Sequence, residues 1–369
     1  MSVLASGSKG NCAVISAGRT HLLVDAGLSC REILRRMALA GEDPAELDAI
    51  LITHEHQDHV AGLAVLARRL KIPVFFTQPT HRAWVRMMTP RTRMSYAQWL
   101  EQLQQQRAER GADPEPELHR PAHVFAQAAE TADFYAGPQA AVAEAEPLRE
   151  AMEFPEEEIA AGGEPSLEIE LAGAQDSPAK ASIPAPCDDP TEDAPRADPA
   201  FLPAVEYFEA GRGFAIGDIE VDPFTIPHDA ADPCGFVFHA RSESIRMAVA
   251  TDLGYIPPNV KQALGKVDVL LLESNHDLEM LKDGPYPWSV KQRVLSRVGH
   301  LSNDAAAEFL LHDYDGGAHT IVLGHLSESN NLPELARFAA EKAIGGRMSL
   351  LGNRIVLAEQ HQPTERIEL

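Results

Sequence analysis

The sequence predicts an α/β fold, one large domain of strands alternating with amphipathic helices and interrupted near its middle by a long acidic insertion. Three observations lead there. Short apolar runs at 13–16, 49–52, 74–77, 245–250, 267–273 and 320–323 read as strands, and the stretches between them carry helical periodicity, the pattern of sheets covered by helices. One strand runs directly into Thr53-His54-Glu55-His56-Gln57-Asp58-His59, a dense group of metal-binding side chains on a strand-end turn. The window 101–200 holds about 23 Asp and Glu against about 6 Lys and Arg, and about half of the 27 prolines.

Each element has a local reason. Ser29 followed by Glu32 forms a capping box ahead of Ile33-Leu34-Arg35-Arg36-Met37, and Gly41 is placed to end that helix. Ala49-Ile50-Leu51-Ile52 is a short buried strand and 60–66 a following helix, so the His-rich segment sits on the turn between them. Ser302 or Asn303 caps a helix that begins before Ala305-Ala306-Ala307-Glu308-Phe309-Leu310. The domain is therefore assigned to 1–95 and 205–369, ample for one large core. Residues 96–204 form the insertion, Ala-, Glu- and Pro-rich and expected to be mostly disordered, because such a composition buries too little apolar surface to offset ordering entropy. Helices are expected within it at 96–110 and 147–161. A solvated passenger is the default role for the insertion; a protein-binding arm is the alternative.

The 369 residues carry a net charge of −23, of which about 17 units fall in the acidic window. Cys12, Cys30, Cys187 and Cys234 are widely spaced with no Cys-x-x-Cys pair, which argues against a zinc ribbon or a disulfide framework. No apolar run reaches membrane-spanning length and no basic leader precedes an apolar core, so a soluble cytoplasmic protein with no membrane contact is expected. The sequence leaves the oligomeric state open.

The chemistry lies in the turn. In an extended backbone His54 and His56 point the same way and bind one cation, while Asp58 and His59 converge on a second. Nitrogen and carboxylate donors together suit Zn, Mn or Fe. A polar turn that is merely His-rich is the bland alternative, but donors crowded this closely cost stability unless a cation relieves them.

His-x-His-x-Asp-His after a strand resembles the signature of the metallo-β-lactamase superfamily, whose fold is a four-layer αββα sandwich. Leu22-Leu23-Val24-Asp25-Ala26-Gly27 resembles that family's first motif, Pro227-His228-Asp229 its third, Ala250-Thr251-Asp252-Leu253-Gly254 its fourth and Leu323-Gly324-His325-Leu326-Ser327 its fifth. Five further segments are similar to the YycJ/WalJ branch: Leu4 to Asn11, Ile226 to Pro233, Leu272 to Asp277, Pro285-Tyr286-Pro287-Trp288-Ser289 and Gly299-His300-Leu301-Ser302-Asn303.

The resemblance implies a metal-dependent hydrolase with two divalent ions. His54, His56 and His228 would hold one, Asp58, His59 and His325 the other, and Asp252 would bridge them, with a shared hydroxide as nucleophile. Asp25 would support the ligands through hydrogen bonds. His300 resembles the His loop of tRNA 3′-processing endonucleases and is expected to act on the leaving group; His276 competes for that role. His59 beside Asp58, with no cysteine ligand at motif four, favours a phosphodiesterase over a true β-lactamase. The branch implies a 5′-exonuclease with double-stranded DNA as substrate, for which Arg68-Arg69-Leu70-Lys71, Arg82 with Arg86, Arg91 with Arg93, and Lys291-Gln292-Arg293 are candidate phosphate contacts. A small-molecule hydrolase acting on a cyclic phosphodiester, thioester or lactone, and a regulatory binding protein with a structural metal site, are the competing functions.

Overall fold

Alternation along the strands sets the architecture. In the computed structural model, which describes residues 1–89, 198–345 and 354–369, the strands form two sheets. The first runs in chain order through β1 (Ser2–Ala5), β2 (Cys12–Ala17), β3 (Thr20–Val24), β4 (Ala49–Leu51), β5 (Val74–Phe76) and β6 (Val205–Tyr207). Its first three strands are antiparallel and β3 through β6 are parallel. The second contains β7 (Phe214–Ile216), β8 (Ile219–Thr225), β9 (Cys234–Ala240), β10 (Ile245–Ala250), β11 (Val269–Glu273), β12 (Thr320–Gly324) and β13 (Arg354–Leu357), antiparallel from β7 to β10 and parallel from β10 to β13.

Side chains two apart point to the same face, and both faces of the central strands in both sheets are apolar. Leu22, Val24, Ala49 and Leu51 of the first sheet meet Phe236, Phe238, Val269 and Leu271 of the second. Leu23 and Ile50 turn outward onto α1 (Cys30–Leu39), α3 (Leu63–Leu70) and α4 (Gln78–Met88), packing with Ile33, Leu66 and Trp84. Leu270, Leu272, Ile321 and Leu323 turn outward onto α5 (Pro258–Ala263), α8 (Asn303–His312) and α9 (Pro333–Ile344). Helix, sheet, sheet and helix thus make the four-layer αββα sandwich. Each fully buried aliphatic side chain contributes about 1.5–3 kcal/mol.

The helix expected at 60–66 is two: α2 (Gln57–Val60) and α3. Gly62 separates them, since a Cβ there would lie 2.1 Å from the Leu28 carbonyl oxygen. Ser29 caps α1 by accepting from Glu32 N at 3.3 Å, and Gly41 follows with φ +73°. The Glu32 carboxylate does not reach back as a full capping box requires; it binds Arg35 and Arg36 instead. Ser302 caps α8 by accepting from Ala305 N.

The insertion boundary expected at residue 204 moves toward the N-terminus. Leu202 is buried in the first sheet's helix-side core and Val74 N donates to Ala204 O at 3.0 Å, so 198–204 belong to the sandwich. The helices expected at 96–110 and 147–161 lie outside the described residues, as do Arg91, Arg93 and Cys187. Cys12, Cys30 and Cys234 are buried. Among the described residues, no helix is long and apolar enough to cross a membrane.

Candidate metal centre

The topology gathers the polar residues at one edge. β3, β4, β8, β10, β11 and β12 all end on the same side of the sandwich, and the chain leaves each of them carrying a candidate side chain. Asp25 follows β3, His54 to His59 follow β4, His228 follows β8, Asp252 follows β10, Glu273 ends β11 and His325 follows β12. Asp25, Asp252 and His325 adopt left-handed backbone conformations, with φ of 60°, 62° and 55°. Such conformations are costly without glycine and persist where surrounding contacts impose them. At His325 those contacts are visible: its N–H donates to Ser6 Oγ at 2.7 Å and its carbonyl accepts from Asn275 Nδ2 at 2.8 Å.

Two groups of three donors result, His54 with His56 and His228, and Asp58 with His59 and His325. Asp252 falls in two further groups, one with His54 and His59, a member from each of the first two, and one with Glu273, His300 and His325. His56 Nδ1 and His228 Nε2 are 3.2 Å apart, close to the roughly 3.3 Å separating two nitrogens on a tetrahedral Zn with bonds of about 2.0–2.1 Å. His54 Nε2, His325 Nε2 and Asp252 Oδ2 are buried and accept or donate no hydrogen bond. Buried polar atoms are normally satisfied, so three orphans aimed into one cluster fit a cation binding there.

Hydrogen bonds fix the imidazoles from behind. Asp25 Oδ2 lies 2.8 Å from His59 Nδ1, and Asp25 also accepts from the Thr53 N–H at 2.9 Å. His228 Nδ1 faces the Gly299 carbonyl at 3.2 Å, which turns Nε2 inward. Asn11 Nδ2 is 3.0 Å from His59 Nε2 and 3.3 Å from Asp58 Oδ2, and Asn11 N donates to Asp58 O. Gly27 is required beside this loop, because a Cβ would sit 1.7 Å from the Asp58 carbonyl oxygen.

The electrostatics are those of buried imidazoles packed among carboxylates. Burial and the surrounding imidazoles push His54 well below the ordinary histidine value, so it is neutral with a lone pair to give. For His59, burial lowers the pKa but Asp252, Asp25 and Asp58 outweigh it and raise the group to about 9. Burial would raise Asp252, yet His325, His59 and His228 hold it below the usual carboxylate range.

His300 lines the same cavity, of about 400 Å³, with His56, Asp58, His228, Asp252 and His325. Its Nδ1 is 2.8 Å from Glu273 Oε1, and the same oxygen is 2.9 Å from His325 Nδ1. A larger recess of about 660 Å³ beside Thr77, Tyr207 and Arg212 contains none of these imidazoles. His276 does not join the site. The chain turns it away after β11: its backbone pairs with Ser302, its Nδ1 faces Asn275 Oδ1 at 3.3 Å, and burial pushes it down to about 4. Its neighbour Asn275 takes the place at the cavity. Lys291 is also withdrawn from its expected phosphate contact, since it is buried and donates to Lys282 O at 2.6 Å.

Ser6, Asn11, Glu273 and Asn275 had no role assigned from sequence. They all fall inside the segments similar to the YycJ/WalJ branch, the one signal that marked them.

Two family models match the chain: the metallo-beta-lactamase superfamily model over residues 5–127 and the beta-lactamase superfamily domain model over residues 181–325. With the sandwich and its edge of histidines, this chain belongs to the metallo-beta-lactamase superfamily and is a metal-dependent hydrolase. It is 29% identical to Exodeoxyribonuclease WalJ of Streptococcus pneumoniae over 335 residues, 91% of this chain and 84% of that protein. It is 28% identical to Exodeoxyribonuclease YycJ of Bacillus anthracis over 343 residues, 93% of this chain and 88% of that one. Within the superfamily the chain therefore lies in the YycJ/WalJ branch. The metallo-beta-lactamase fold protein YhfI from Bacillus subtilis shares the fold, with a TM-score of 0.50 and 12% identity over 98% of each chain.

Proposed function

We propose that this chain is a two-metal phosphodiesterase that degrades DNA from its 5′ ends. The observation that carries the reading is the pair of three-donor groups linked by Asp252. His54, His56 and His228 would hold one divalent cation, Asp58, His59 and His325 the other, and Asp252 stands between them; Zn, Mn and Fe all suit these donors. Bound there, the cations supply an activated water and neutralise charge developing on the phosphoryl group.

The chain's own residues do the rest. Asp25 and the Gly299 carbonyl keep His59 and His228 in the orientation that presents Nε2. Glu273 accepts from His300 Nδ1–H and stabilises the imidazolium, leaving Nε2 as the atom that donates to the departing alkoxide. Asp58, at the cavity and within 3.7 Å of both His59 Nε2 and His325 Nε2, is one of two partly exposed ligands, with His56, that substrate would reach. DNA as substrate is supported by the two relatives, both named exodeoxyribonucleases and similar over more than nine tenths of this chain.

The test is incubation of Zn-, Mn- or Fe-loaded protein with end-labelled duplex DNA, single-stranded DNA, RNA and a generic aryl phosphodiester. Progressive shortening of duplex DNA from the 5′ end is expected. Intact DNA under all three metals, with RNA or the small diester hydrolysed, overturns the substrate assignment.

A further inference from the structure

One wall of the cavity is chemically unlike the others. Tyr286, Val290, Arg293 and Val294 line it, from α7 (Trp288–Val294) and the turn before it. The chain then passes through Arg297 and Val298 to Gly299 and His300, so this wall is continuous with the groups that orient His228 and face Glu273. Residues 285–300 contain no Asp or Glu, in a chain of net charge −23, and their exposed cations are Arg293 and Arg297.

The wall's outer surface exposes an indole. Trp288 is 67% accessible, where large aromatics are usually buried, and Val290 and Val298 are exposed as well. Arg297 lies over the ring of Tyr255, 4.3 Å from its centroid, which holds an exposed guanidinium in a fixed plane. Arg293 is held by Asp229 at 2.6 Å on the cavity side. Aromatic faces interleaved with fixed cations along a groove are how single nucleic-acid strands are bound, because every base has a π-face and every linkage a charge.

We propose that residues 285–298 form the wall along which a DNA strand end is laid, with Trp288 stacking on a base and Arg297 contacting a backbone phosphate. The inference rests on the nuclease reading and names where that substrate binds. Nothing in the catalytic assignments requires it, since neither side chain belongs to the metal groups.

The experiment titrates the full-length, metal-loaded protein with a 5′-phosphorylated, fluorescein-labelled DNA duplex bearing a short single-stranded end, its terminal linkages made nuclease-resistant phosphorothioates, reading anisotropy and tryptophan emission. Trp288→Ala is expected to weaken binding roughly tenfold, Trp288→Phe to restore affinity, and the wild-type emission quench to be absent in both. Arg297→Gln is expected to weaken binding and to reduce the slope of log affinity against log salt by about one. Wild-type affinity in Trp288→Ala and Arg297→Gln overturns the proposal. So does a change of sedimentation coefficient in Trp288→Ala with DNA affinity intact, which would give this face to a second copy of the chain. If the wild type binds DNA through this wall but cleaves no unmodified duplex, the catalytic reading fails and the wall stands; if it cleaves unmodified duplex while the variants bind normally, the wall alone fails.

Discussion

Glu273 and His300 meet through a 2.8 Å contact between Oε1 and Nδ1, made by a fully buried carboxylate at the last position of a core strand. Glu273 also accepts the Leu253 N–H through its other oxygen, at 2.5 Å, and faces His325. One side chain therefore ties a histidine of the proposed leaving-group step to a proposed metal ligand and to the loop carrying Asp252. Glu273→Gln should lower metal affinity or turnover by about 10- to 100-fold, the usual cost of losing such a support. Titration of metal content alongside turnover checks this. Both quantities unchanged would leave Glu273 with a packing role only.

His300→Ala should retain both metals and lose on the order of 10² to 10⁴ in rate, the usual contribution of a general acid. Elemental analysis separates this from ligand loss, and a variant short of metal would move His300 into the coordination shell. His276→Ala provides the comparison. An equal loss of rate there, with metal retained, would return His276 to the reaction.

Two divalent ions per chain are expected from the linked donor groups. Removing them with a chelator should lower the melting temperature, because it leaves His54 Nε2, His325 Nε2 and Asp252 Oδ2 buried without partners. Asp58→Ala should abolish turnover by removing a ligand. Protein that reaches no more than one ion per chain in excess Zn or Mn would contradict the two-metal assignment.

Arg36 joins three separate stretches, donating from Nη1 to Leu4 O at 3.0 Å and Gln360 O at 2.7 Å and from Nε to Glu32 Oε1 at 2.7 Å. Arg36→Met should cost about 1.5–3 kcal/mol, since it strands buried carbonyls that accepted charged hydrogen bonds. Hydrogen bonds from Arg35 and Arg36 outweigh partial burial and hold Glu32 down to about 2. A depressed folded-state pKa means stability that is present above the unfolded value of about 4.3 and lost as pH falls through about 2. Denaturant unfolding of Glu32→Gln between those limits should show a shallower acid limb than wild type. Parallel limbs would remove Glu32 from the account of acid sensitivity.

The acidic window is a matter of charge. Replacing 101–190 with a short Gly-Ser linker removes about 15 net negative charges and keeps 198–204, where Leu202 packs into the core. We propose that this deletion folds and binds DNA more tightly, with the gain shrinking as salt rises, because screening shortens the repulsion to about 10 Å at 0.1 M. Circular dichroism and a salt series of binding measurements test both halves. An unfolded product would assign the window to the core, and unchanged affinity at every salt would place it away from the substrate.

What the sequence determined by itself was whatever is local or periodic. Alternation at Leu22-Leu23-Val24 and Leu270-Leu271-Leu272 dictates strands buried on both faces, Ser29 and Ser302 cap helices through their own following turns, and His54 to His59 bring their donor atoms together from one short loop. The tertiary structure alone decided what depends on which strand ends are neighbours. Glu273 reads as the end of an apolar strand until β11 is set between β10 and β12, where its carboxylate finds Leu253, His300 and His325. His276 and Asn275 are adjacent in sequence, and only the turn after β11 decides which of them faces the cavity. Ser6 holding His325 across 319 positions and Asn11 meeting His59 across 48 are long-range contacts that carry no local signature, because hydrogen bonds depend on distance in space and sequence spacing records only distance along the chain.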